Sequence, residues 1–386
     1  MWKLIKELAT ADEVTGQIEP EAQYGASGIF FHLADFVFHC KLIHMPVLYR
    51  TYRPNKWSEV MGQDHIVEAL KDAIANKRVA HAFLFSGSRG TGKTSVARIL
   101  AKAVETKDED VYEIDAASNR GIDDIRQLRE HVSVLPFSSP FKVYIIDEVH
   151  MLSKDAWNAL LKTLEEPPKH VIFILATTEL DKVPETIISR CQTFTFRKPS
   201  REIVRKQIVS IGKKEGIELD AGAADLIALL GDGSFRDALG MLEKVMSSSK
   251  DKKISREEVE SITGAPRAGL VNQFIENLIG KNEDTALKVL GEAEKAGISM
   301  NTFITLVLEK ARFILLVQHS PTSIVGVKER VSPDDWDFIL AQANKKLLTP
   351  AILVTLLEAA EGIGRARIEV LPLELAVIRV CETETK

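Results

Sequence analysis

Cysteine is scarce: Cys40, Cys191 and Cys381 are the three in 386 residues, far apart and with no CxxC pair among them. That scarcity excludes a disulfide framework and a structural zinc site built from cysteine pairs, and it suits a reducing cytoplasm. Long apolar runs are missing as well. No stretch reaches the roughly 18 uninterrupted apolar residues of a membrane-spanning helix, so no membrane partner is expected. The nearest, residues 28–45, is broken by His32, Asp35, His39, Lys41 and His44. Glu7, Asp12, Glu13, Glu19 and Glu21 precede that run, which is not the form of a secretory signal. Basic charge is not in excess either. Lys+Arg number 50 against 55 Asp+Glu, a net −5, so no global charge signal announces nucleic acid. What is present, 45% hydrophobic and 27% charged residues, is ordinary for globular domains and excludes a mostly disordered chain.

The chain changes character three times. Residues 1–44 resemble nothing that follows and carry −3 of the net charge. They read as an extension of doubtful origin, upstream sequence carried by a start assigned too early, with a genuine appendage as the alternative. Residues 45–199 alternate helix and strand. Apolar segments at 81–85, 111–114, 142–146, 171–176 and 193–196 read as strands, separated by helical patterns at 66–77, 93–104, 122–132 and 153–166. Near-continuous apolar strands between helices predict a parallel sheet covered on both faces, an α/β domain. After Pro199 strands are expected to stop. Helical patterns follow at 201–215, 221–230, 235–246 and 255–262, the last opened by the capping box Ser255 and Glu258, with 247–253 as a polar loop. The pattern stays helical to the end. The expected division is a nucleotide-binding domain at 45–199, a small helical domain at 200–264 and a larger all-α domain at 265–386.

Gly87-Ser88-Arg89-Gly90-Thr91-Gly92-Lys93-Thr94 fits G-x-x-x-x-G-K-[ST]. Glycines let backbone N–H groups curl around phosphates, and the following helix turns its positive end toward the same anion. Lys93 supplies a charge to the β and γ phosphates, and the Thr94 hydroxyl suits Mg²⁺. A Gly-rich turn capping a helix is the bland alternative, but a strand before and a helix after are what phosphate binding demands. Some 50 residues on, the strand Val143–Ile146 ends in Asp147 and Glu148. Asp147 there suits the metal's shell, and Glu148 suits the general base that polarises water. An acid pair in that place favours an ATP hydrolase over a small-molecule kinase. His150 lacks a His or Cys partner at ligand spacing and is expected to be packed or hydrogen-bonded beside the acids.

Further blocks carry a specific resemblance. Residues 49–63 (YRTYRPNKWSEVMGQ), 81–95, 113–126, 143–168, 175–179 (LATTE), 189–194 (SRCQTF), 233–239 (GSFRDAL) and 371–380 are similar to the AAA+ clamp loader ATPases. Over residues 47 to 380 the chain is identified as a member of the bacterial DNA polymerase III gamma/tau family. That resemblance implies an AAA+ P-loop ATPase domain, a helical lid and a C-terminal collar. It implies an ATP-driven, cytoplasmic loader that opens a sliding clamp onto primer–template DNA. It implies partnership with other loader subunits and self-association through the C-terminal helices. Thr178 matches the sensor of the γ-phosphate and Arg190 the arginine finger serving the neighbouring subunit. Arg236 matches the second sensor, and Tyr52, Arg53, Pro54, Val60, Gly62 and Gln63 match the adenine pocket. Asn119, Arg120 and Gly121, before a helix start, match the family's DNA track. The alternatives are a nucleotide-binding scaffold subunit and a related DNA remodeller such as a branch-migration ATPase.

The chain departs from the family at one place. Gamma/tau subunits usually carry a four-cysteine zinc module after the phosphate-loop helix, whereas here Glu105–Asp110 runs straight into Val111. The cofactors expected are therefore ATP and Mg²⁺, with no zinc. Nor does the chain continue into the further domains of the longer tau form, so the loader core alone is expected.

Overall fold

The computed structural model describes residues 47–118, 128, 130–249, 251–320, 324–328, 331 and 333–382. Five parallel strands, β1 (Ala82–Ser86), β2 (Val111–Asp115), β3 (Lys142–Asp147), β4 (Val171–Thr177) and β5 (Gln192–Thr195), stand in the order β2-β3-β4-β1-β5. β1, β3 and β4 are buried almost throughout, as continuous apolar strands must be when helices cover both faces. Helices α1 (Leu48–Thr51), α2 (Asp64–Ala75), α3 (Lys93–Ala103), α4 (Lys154–Glu165) and α5 (Glu185–Ile188) belong to this part of the chain. Phe83, Phe85 and Ile145 point toward Leu70 of α2 and Leu100 of α3, while Leu84, Tyr144 and Phe173 pack with Leu160 and Leu164 of α4. Ser86 pairs with Thr177 and Asp115 with Asp147, so the strands finish level and bring their polar ends to one rim. In open α/β sheets that rim, at the carboxyl ends, is where ligands bind.

Beyond the sheet come α6 (Arg201–Lys214), α7 (Ala221–Leu230), α8 (Phe235–Ser248) and α9 (Arg256–Thr263). The capping box at α9 is formed, with each of Ser255 and Glu258 accepting the other's backbone N–H. One expectation is corrected here. Strands do not stop at Pro199, because Glu218–Leu219 (β6) and Lys253–Ile254 (β7) pair in parallel, and α8 runs two residues into the supposed polar loop. Strands of two residues are too short to carry an alternation.

The C-terminal helices are α10 (Ala268–Ile279), α11 (Glu283–Lys295), α12 (Met300–His319), α13 (Ile324–Lys328), α14 (Pro333–Lys345), α15 (Pro350–Ile363) and α16 (Leu371–Glu382). Their apolar faces join those of α6–α9 in one continuous core reaching from Val204 to Val380. Buried charges tie the same helices together. Arg256 and Lys310 donate to opposite oxygens of Asp335 at 2.5 and 2.6 Å, and Arg201 pairs with both Asp225 and Glu309.

The short turn after α3 is built into the fold. Buried Asp110 accepts the backbone N–H groups of Phe137 and Ser138 at 2.6 and 2.9 Å, and Lys107 N–H bonds the Ser139 hydroxyl. Burial alone would raise the Asp110 carboxyl, but these donors outweigh it and hold it below the ordinary carboxylate range. A folded pKa depressed in this way contributes stability above the unfolded value of about 3.9, and the contribution fades as pH falls through the folded value. Asp110→Asn is therefore expected to cost about 1–3 kcal/mol at pH 7, with the gap to wild type narrowing below about pH 4. Urea unfolding of both proteins from pH 7 downward checks this, and a gap independent of pH would refute it.

Candidate nucleotide-binding and hydrolysis site

The phosphate loop leaves β1 and enters α3 by a path that side chains would block. Gly87 has φ 141°, and a Cβ there would lie 2.5 Å from the Phe196 carbonyl oxygen; at Gly90, φ 73°, it would lie 2.0 Å from Ser234 Oγ. The loop is thus pressed between the end of β5 and the start of α8, where Phe235 N–H also donates to Gly90 O at 3.1 Å. Lys93, the first residue of α3, is 6% exposed and folds back to donate to the carbonyls of Gly87 and Ser88 at 2.7 and 3.0 Å. Burial pushes its ammonium below the usual lysine value, against the pull of Glu148 and Asp147. A buried cation held only by loop carbonyls is poised for a stronger anionic partner.

Two acids face this lysine from the end of β3. Thr94 Oγ1 donates to Asp147 Oδ2 at 2.8 Å, which brings two hard oxygen atoms side by side. That donor set fits Mg²⁺, which takes oxygen ligands and is held by few protein groups. Glu148 follows in the left-handed region at φ 50°, a conformation that costs a non-glycine residue about 1–3 kcal/mol. Its backbone N–H donates to Asp147 Oδ1 at 3.0 Å, and its side chain accepts from Thr178 Oγ1 at 3.0 Å. Lys93, Thr94, Asp147, Glu148 and Thr178 therefore meet at the ends of β1, β3 and β4.

A cleft of about 880 Å³, its open mouth included, runs from this group between the sheet and α8. Tyr52, Arg53, Pro54 and Val60 line it, and so do Arg89, Gly90, Thr91, Gly92 and Arg236. Gly62 and Gln63 do not line it. Gln63 is buried and exchanges two hydrogen bonds with the backbone of Arg197, which anchors the segment instead. Desolvation pushes the Arg53 guanidinium below its usual value, with Arg98 adding repulsion. Tyr49, Gln207, Phe235 and Leu239 also line the cleft and were not singled out in the sequence. Tyr49 lies beneath the Arg236 guanidinium, 5.4 Å from ring centroid to Cζ, a cation–π arrangement that sets the arginine's place on the wall. Its nearness to Tyr52 and Arg53 in the chain was the available signal. Phe235 and Leu239, one helical turn apart, look in sequence like ordinary core positions.

Arg190 stands elsewhere. It follows α5, does not line the cleft, and donates to Glu165 Oε1 at 2.8 Å and to Thr186 O at 2.7 Å. Asn119 and Arg120 lie outside the described residues, as does Gly121. Among the described residues no helix is long and apolar enough to cross a membrane.

A phosphate loop after β1, an acid pair at the end of β3 and a helical wall carrying an arginine define an AAA+ P-loop protein. The family model described as "DNA polymerase III, delta subunit" matches residues 62–119 and 105–200. The chain is 40% identical over 362 residues to DNA polymerase III subunit tau of Bacillus subtilis, covering 87% of this chain and 63% of that one. It is 36% identical to the gamma/tau subunit of Mycoplasma pneumoniae, covering 83% and 49%, and 37% identical to subunit tau of Escherichia coli, covering 72% and 46%. Over most of its own length the chain is thus similar to the tau and gamma/tau subunits of DNA polymerase III, and it spans about half to two-thirds the length of these relatives. A Thermotoga maritima RuvB structure overlaps 66% of the chain at 20% identity and a TM-score of 0.48, too partial a likeness to carry an argument about activity.

Proposed function

We propose that the chain is an ATP-driven subunit of a clamp loader, organised as an ATPase domain at 45–199, a lid at 200–264 and a collar at 265–386. The observation that carries the reading is the complete hydrolytic set gathered at one rim, with Lys93 donating only to carbonyls and Thr94 paired with Asp147. Lys93 and the loop N–H groups bind the β and γ phosphates. Thr94 and Asp147 hold Mg²⁺, which supplies Lewis-acid stabilisation of the charge on the phosphoryl oxygens. Glu148 takes a proton from water as the water oxygen bonds the γ-phosphorus. The bond to the β-phosphate oxygen breaks, leaving ADP and phosphate. Thr178 turns from Glu148 to orient the γ-phosphate and water, and Arg236 reaches the phosphates from the lid. Arg190 serves the site of a neighbouring subunit, a role supported by its absence from its own cleft.

The relatives' names place them in DNA polymerase III, and the partners we infer follow from that. They are other loader subunits joined through the C-terminal helices, a ring-shaped sliding clamp, and primer–template DNA met by Asn119 and Arg120 through phosphates. Binding of ATP must favour the clamp- and DNA-gripping arrangement over the ADP-bound one, since only differential affinity moves such an equilibrium. The complete set of catalytic groups gives no support to a scaffold role. ATP turnover of the native assembly is expected to rise on adding clamp and primed DNA together. Stimulation by junction or duplex DNA without the clamp would overturn the loader reading in favour of a branch-migration motor.

A further inference from the structure

His150 fills the corner between the ends of β3 and β4, with only 6% of its side chain exposed. Its Nδ1 lies 3.1 Å from Thr177 Oγ1 and 3.4 Å from Glu148 Oε2, and its Nε2 lies 3.3 Å from Glu179 Oε1. The Thr177 hydroxyl donates to the Glu179 carbonyl at 3.1 Å, so its proton is committed and Nδ1 is the donor toward Thr177 and Glu148. The anchor is firm. Thr177 is fully buried at the end of β4 and also accepts Glu179 N–H at 3.0 Å.

Glu148 needs such an anchor, because its left-handed backbone conformation is one the chain leaves unless the surroundings enforce it. Two side chains reach its carboxylate, Thr178 and His150. A Thr178 that turns toward the γ-phosphate gives up its bond to Glu148. We propose that His150 is the positioning residue that then keeps the Glu148 carboxylate aimed at the attacking water, by tying it to the rigid end of β4. The proposal rests on the reading of Glu148 as the general base. A histidine that merely fills space would affect folding and leave turnover alone.

The test uses the full chain in its native assembly, with turnover measured under clamp and primed DNA and binding followed with a fluorescent ATP analogue. His150→Ala is expected to lower kcat by roughly 10- to 100-fold, the scale of a misaimed catalytic group, while nucleotide affinity stays within about threefold of wild type. His150→Gln, whose amide still donates to Glu148 and Thr177, recovers most of the loss. His150→Leu, which keeps the volume without the donor, behaves as His150→Ala does and replaces it in the comparison should the alanine variant unfold. Adding His150→Ala to Glu148→Gln costs little more than Glu148→Gln alone, because one group acts through the other. A kcat within about twofold of wild type in the leucine variant, no rescue by glutamine, or additive losses in the double variant would each overturn the positioning role. Glu148→Gln hydrolysing ATP as wild type does would instead overturn the reading of the site itself.

Discussion

Replacing Lys93 by alanine is expected to abolish ATP binding at micromolar nucleotide. The ammonium is buried and donates to the Gly87 and Ser88 carbonyls, both uncharged acceptors. Exchanging them for phosphate oxygens turns neutral acceptors into charged ones, and such bonds are about twice as strong. Losing one partner of a desolvated charge pair costs about 2–5 kcal/mol, which is a roughly 30- to 5,000-fold rise in Kd. Folding should suffer far less. Alanine is a good helix former at the first position of α3, and removing the ammonium also removes its burial cost. Calorimetric titration with ATP, set beside a thermal melt, separates the two effects. Binding within about threefold of wild type would show that the phosphates are held elsewhere.

Arg190→Ala is expected to split binding from turnover. Nucleotide affinity of the isolated chain should not change, because Arg190 does not line its own cleft. Stability should hardly change either, since the bond to exposed Glu165 is a surface ion pair worth about 0–1 kcal/mol. Turnover in the assembly should fall by about 10³-fold or more, the scale of an arginine finger supplied in trans. Mixing sharpens the result. An assembly combining Arg190→Ala subunits with Lys93→Ala subunits recovers activity only where an intact phosphate loop faces an intact arginine. Unchanged stimulated turnover in the Arg190→Ala assembly would rule out the trans role.

Much of this site could be read from residue order because its chemistry is local. The phosphate loop needs a strand, glycines, a lysine and a helix in immediate succession, and Asp147 and Glu148 end a strand whose apolar run is unmistakable. The sheet was legible for the same reason, its inner strands β1, β3 and β4 being buried on both faces and almost continuously apolar. What stayed hidden depends on segments distant in the chain. Tyr49 is an aromatic near a motif until α8 places Arg236 over its ring. His150 gains its two carboxylates and Thr177 only where β3 and β4 finish together. Strands β6 and β7 are two residues each and show no period. Helices α6 to α16 were visible as amphipathic stripes, but a stripe does not name the surface it covers, so the shared core from Val204 to Val380 could not be anticipated.

That shared core has a mechanical consequence. Ser234 and Phe235 touch the phosphate loop at Gly90, while farther along the same helix Leu239, Leu242 and Val245 are set into the core that ends near the C-terminus. Helix α8 therefore joins the phosphate loop directly to that core. A shift of a few tenths of an ångström at the phosphates cannot be absorbed by sliding within a close-packed interior. Such a shift is expected to pass through α8 into the helices packed against it.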